Sequence, residues 1–202
     1  MRGLLLLFVI VLTTACGAGA PTAAGASVLA SELPGGLHRC DGSGDMDSFL
    51  KKLATKDPST YKKTKAEWEA VKKQGAIAAE AVYYTNGAAS CGGAVGPAAA
   101  GGPVVLNYVF QFRDETSAHK AFQDQSIWGF STGGLAVGGA AGTTTGEKTG
   151  LSPNSVSASI DIQKLAIYVA LWQNKAFVLT LVTFNLPTDQ ARKAAVSENS
   201  RI

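Results

Sequence analysis

Apolar positions change rhythm several times along the chain. Leu4 to Leu12 form an unbroken apolar run. Asp45 or Asp47 can cap a short helix through DSFLKKLA, and Asp57-Pro58 opens a longer one, because a capping carboxylate before a proline at the first helical position is a start signal. Along the second helix Tyr61, Thr64, Trp68, Val71 and Lys72 share one face at a spacing near 3.6, and Gly75 ends it. From residue 76 the period falls towards two. Residues 76–86 predict a strand, and 103–113 predict another, with Leu106, Tyr108, Phe110 and Phe112 on one face and Asn107, Gln111 and Arg113 on the other. Asp114 caps a helix through ETSAHKAFQDQ that turns Ala118, Ala121 and Phe122 inward. Residues 155–163 alternate cleanly, which predicts a strand wet on one side. Residues 165–172 and 176–184 are apolar on both faces and are joined by a turn at Gln173-Asn174-Lys175. Such runs predict burial on both sides of a sheet. A last helix, from about Thr188-Asp189, presents Ala191, Ala194 and Ala195.

Helices, two strands, a helix, at least three strands and a helix, with short connections, predict an α+β fold. We expect an antiparallel sheet of about five strands with helices packed against it. The segment Leu135-Ala136-Val137 is long enough only for a minor extra strand. A chain of 202 residues suits one domain with or without a tail.

The start of the chain carries an address. Arg2 precedes the apolar run, and Thr13, Thr14, Ala15, Cys16 and Gly17 follow it. A membrane span needs ~20 apolar residues, far more than this run holds, so it reads as a secretory signal. Leu12 with Thr13-Thr14-Ala15-Cys16 resembles the lipobox of bacterial lipoproteins, although the usual leucine three places before the cysteine is Thr13 here. The resemblance implies that residues 1–15 are a signal peptide. It also implies that Cys16 is diacylated, as by palmitate, and that the protein sits at the outer face of the cell membrane. Two acyl chains suffice for stable anchoring. An ordinary export signal cut after Ala20 is the alternative. The small, uncharged residues of 16–31 predict a flexible tether, which leaves 32–202 as a single extracytoplasmic domain.

With Cys16 lipidated, two of the three cysteines remain. An even pair in an oxidising setting predicts a Cys40–Cys91 disulfide. A Cys/His metal site finds little support, since there is no CxxC and no third ligand beside His38 and Cys40.

Composition narrows the function classes. Charged residues are 16% of the chain, below the ~25% of ordinary soluble domains. A net charge of +3 is too small a bias for a dedicated nucleic-acid binder. Two histidines rule out a three-histidine metal site. Between Lys51 and Lys73, eight lysines face three acids. That cluster fits either attraction to an anionic envelope polymer or lipid, or a solvated helix face. Gly142 to Thr149 (GTTTGEKT) has the wrong spacing for a phosphate loop and no helix after it. Asp41, Ser43, Asp45 and Asp47 alternate as in a calcium loop, but Met46 stands where glycine is needed and Lys52 where glutamate is needed, so helix capping accounts for them better. For nucleophilic catalysis, His119 has no acid partner evident in the sequence.

The long glycine-rich segment 127–155 opens with Trp128 and Phe130. These aromatics fit a lid over a ligand site, or plugs in the core. We therefore expect a surface-tethered, non-enzymatic binding or sensing domain with no cofactor. The alternatives are an envelope hydrolase, a carrier of an apolar ligand or lipid, or a structural role in which a partner covers the apolar sheet.

Overall fold

The computed structural model describes residues 21–87, 91, 102–124, 142–162 and 165–202. Five long strands form the sheet: β3 (Ala76–Thr85), β4 (Val104–Phe112), β6 (Ser155–Ile162), β7 (Leu165–Asn174) and β8 (Phe177–Phe184). Three strands of two residues each extend it, namely β1 (His38–Arg39), β2 (Gly44–Asp45) and β5 (Thr144–Thr145). The eight strands run β1-β3-β4-β8-β7-β6-β5, with β2 also on β3, and every pairing is antiparallel. The expected class holds, but the expected count of about five strands falls short. Two-residue strands are too short to show a period of two, so the pattern could not reveal them.

Among the described residues, five α-helices accompany the sheet: α1 (Ala23–Ala26), α2 (Met46–Lys56), α3 (Pro58–Lys73), α4 (Glu115–Gln123) and α5 (Thr188–Ser200). They answer what covers strands that are apolar on both faces. On one face, Val82, Tyr84, Val105, Val109, Trp172 and Leu181 pack against α1, α5 and the segment through Leu33. On the other, Phe110, Phe112, Leu171 and Val178 pack against α2, α3 and α4. Beyond those helices the second face continues under Cys40 and Cys91, where Tyr83, Leu106, Val182 and Phe184 form a smaller cluster.

Two expectations need correction. The described part of the supposed tether, residues 21–31, is folded onto the sheet: Ala23, Ala26 and Val28 lie in the core. Thr22 caps α1 by accepting from the Gly25 N–H at 3.1 Å. The small side chains that look like a linker are what let this segment lie close against the strands. Second, β6 is wet on its polar side only towards its end: Ser155 and Ser157 are buried, whereas Ser159 is half-buried and Asp161 exposed. The Ser155 hydroxyl is held by Gly146 O (3.0 Å) and Thr149 Oγ1 (2.8 Å) of the 3-10 turn Gly146–Thr149. That turn covers the strand.

Candidate functional site

The α2–α3 hairpin forms from its caps. Asp45 accepts from the Ser48 N–H (3.0 Å) and Asp57 from the Thr60 N–H (3.0 Å), so each helix starts where the sequence places a carboxylate. These bonds hold both carboxyls below their ordinary range, led at Asp45 by the backbone of Ser48 and at Asp57 by the Thr60 side chain. The apolar stripes then set the orientation. Met46, Phe49, Leu50 and Leu53 of α2, and Thr64, Trp68 and Val71 of α3, are buried. Trp68 packs on Phe110 with ring centroids 6.2 Å apart, and Phe49 meets Tyr108 edge-on at 6.3 Å. All eight lysines of the hairpin are left exposed.

Between the two helices runs a groove of about 460 Å³, lined by Lys51, Tyr61, Lys65, Trp68 and Glu69 among others. The Lys65 ammonium stands 5.7 Å from the centre of the Tyr61 ring, and that of Lys72 stands 5.5 Å from the Trp68 ring. Lys72 also donates to Glu69 at 2.7 Å, and this bond leads the lowering of the Glu69 carboxyl. Trp68 is buried, so the half-buried Tyr61 ring, with Lys65 beside it, is the aromatic face the groove offers a ligand. Nothing in this lining is a nucleophile paired with a base.

A different constellation, which the sequence reading did not single out, lies buried between β4 and α5. Asn107 accepts from the Val28 N–H at 2.9 Å and donates to Thr180 O (3.2 Å) and to Glu198 Oε1 (2.8 Å). Glu198 is fully buried, so desolvation pushes its carboxyl well above the usual range, opposed in part by the Asn107 bond. The neutral acid is the form this site favours. Around it, the Tyr84 hydroxyl donates to Val28 O (3.1 Å), Arg201 donates to Ser27 O (2.6 Å) and pairs with Glu32, and Ser197 donates to Glu32 (2.6 Å). The group is a lash that binds residues 26–32 to α5 and the sheet. The available signal was Glu198 itself, which continues the spacing of Ala191, Ala194 and Ala195 on the inward face.

Of the sequence-derived residues, Cys40 and Cys91 are joined in a disulfide with Cα atoms 5.4 Å apart. Cys16, Trp128 and Phe130 lie outside the described residues. His38 is exposed on β1. His119 is half-buried and hydrogen-bonded to Asn154 (3.2 Å), whose amide also donates to Gln173 (2.6 Å). Asp45 serves as a cap, and GTTTGEKT forms β5 and the 3-10 turn rather than a loop before a long helix. Glu80 forms a half-shielded pair with Arg39 (2.7 Å); burial raises its carboxyl and Arg39 opposes that shift. Among the described residues there is no group of three His, Cys, Asp or Glu side chains able to hold a metal, and no helix long and apolar enough to cross a membrane. The void bounded by Phe49, Tyr83, Leu106 and Tyr108 is about 10 Å³.

No protein-family model matches the chain, and no curated protein matches it. Among solved structures, the extracellular domain of PknH from Mycobacterium tuberculosis is similar over 64% of this chain and 67% of that one, with 12% identity and a TM-score of 0.40. So distant a likeness transfers no residue role and no ligand.

Proposed function

We propose that the protein is an exported domain, tethered by lipid on Cys16 at the outer face of the membrane, that binds an anionic envelope polymer along α2 and α3 without catalysis. The observation that carries this reading is the hairpin surface: every lysine of α2 and α3 is exposed, and between the helices Lys51 and Lys65 share a groove with Tyr61, Trp68 and the acids Asp47 and Glu69. A polyanion gains from many such charges at once, and a ring-lined groove holds its sugar or backbone units. Export is supported by the Cys40–Cys91 bond, because disulfides persist in oxidising compartments. The non-catalytic reading is supported by the employment of His119 and the buried acids in structural bonds and pairs.

The test uses the native protein with long-chain polyphosphate as a defined polyanion and neutral dextran as control. Binding of polyphosphate that weakens steeply with salt is expected. Lys51→Gln with Lys62→Gln and Lys65→Gln should weaken it by more than about tenfold at low salt, by losing three attractive charges. Equal affinity for dextran, no binding of polyphosphate, or binding indifferent to the triple variant would sink the reading.

A further inference from the structure

Resting on the lipid tether at Cys16, we propose that the end of the sheet carrying Ile77 lies against the anionic phospholipid headgroups of the membrane that holds the anchor. The exit of the chain sets the geometry. The Gln111 side chain donates to Pro21 O (3.5 Å) and accepts from the Ala23 N–H (3.2 Å). Gln111 is next to last in β4 and pairs with Ala78 near the start of β3. The N-terminal segment therefore leaves the fold at this end of the sheet. From Cys16 to Pro21 the chain can span at most about 18 Å. A lipid on Cys16 holds this end, and not the opposite one where α5 begins at Thr188, beside the bilayer.

The surface found there suits that position. Ile77 is 63% exposed, the most exposed large hydrophobic side chain among the described residues. It protrudes because β3 bulges between Ala76 and Ala78, on a stretch where neither β1 nor β2 reaches, their pairing with β3 beginning at Glu80. Exposed cations surround this rim: Lys73 at the end of α3, Arg113 after β4 and Lys175 in the β7–β8 turn. Backbone bonds gather them, with the Arg113 N–H donating to Gly75 O (3.1 Å) and the Phe112 N–H to Ala176 O (2.8 Å). Of the acids nearby, Asp114 pairs with Arg113 at 3.6 Å and Glu115 follows it at the start of α4, while the Lys175 ammonium donates to Ile202 O. Asp114 accepts from the Ser117 N–H at 2.7 Å, and the helix dipole offsets both charges. An aliphatic tip ringed by cations enters a headgroup layer and meets negative charge, each cation adding roughly fivefold to partitioning.

The experiment takes the native chain, recovered from membranes and reconstituted into vesicles, with an environment-sensitive fluorescent amino acid at position 77 or, as control, at position 188. In vesicles rich in phosphatidylglycerol, the label at 77 should shift to the blue and be quenched by headgroup-level spin-labelled lipid. In pure phosphatidylcholine it should do so far less, and the label at 188 should stay water-exposed in both. Lys73→Gln with Arg113→Gln should lower the equilibrium between shielded and exposed label by roughly 25-fold. A water-like label at 77 on vesicle-bound chain overturns the proposal, as does equal shielding at 188. The mass of the same sample separates the two claims. A chain lacking acyl mass on Cys16 refutes the tether, while the state of the label at 77 still decides the surface.

Discussion

The two faces of the sheet are covered by different means. On the α5 side the helix offers small residues to a sheet face that carries Tyr84 and Trp172, and polar groups are sealed inside: Ala191, Ala194 and Ala195 are fully buried, and Asn107 and Glu198 bond to each other beneath them. On the α2–α3 side the contacts are large and apolar, with Phe49, Trp68, Phe110 and Phe112 filling the space, and all eight lysines of the hairpin lie outside. The first arrangement fixes residues 26–32 against the sheet. The second leaves a rigid platform whose outer surface is free to vary in charge without disturbing its core. A directional network specifies one docking geometry, whereas apolar packing tolerates change on its solvent side.

The sharpest break in that contrast comes from Phe110→Ala. The ring is fully buried against Trp68, and its loss should cost about 4 kcal/mol in urea unfolding. The amide exchange of residues 26–32 should remain slow relative to global unfolding, since that segment packs on the other face. Asn107→Ala comes next, at about 3 kcal/mol, because it strands the Val28 N–H and the Glu198 carboxyl in the core. Here hydrogen exchange should rise first across residues 26–32, with polyanion binding by the hairpin unchanged. Uniform loss of protection over both faces would contradict the division.

Glu198→Gln tests the electrostatics of the lash. A carboxyl whose folded value is raised above its unfolded value contributes fully below the unfolded value, near 4.5, and that contribution is lost as pH rises towards the folded value. The native protein should therefore lose stability across that window, and Glu198→Gln should flatten the loss and be the more stable form at neutral pH. Identical pH profiles for the two proteins would show that Glu198 is not held neutral. The capping aspartates act in the opposite sense: their lowered values make them stabilising above the usual carboxylate range, and that support fades in acid. Asp45→Ala has the smallest effect, about 1 kcal/mol by thermal or urea unfolding, confined to the α2–α3 side.

Much of this architecture was legible because its signals are local. Asp57-Pro58 marks α3, the alternation at 103–113 marks β4, and the double apolar runs mark β7 and β8. The disulfide followed from the cysteines left once Cys16 is set aside. What stayed hidden depends on distant partners. Ala23 and Ala26 look like linker residues until the sheet supplies a surface for them. Glu198 looks like an ordinary helix acid until Asn107, 91 residues away in sequence, stands opposite it. Ile77 gained meaning only from a bulge and from the exit of the chain beside it.

The central claim is an exported, lipid-tethered domain closed by one disulfide, and a single intact-mass measurement on protein extracted from its own membrane tests it most directly. The expected chain begins at Cys16 with added acyl mass and gains two further hydrogens on reduction as Cys40 and Cys91 part. A chain that retains residues 1–15, begins elsewhere without acyl mass, or gains nothing on reduction would contradict it.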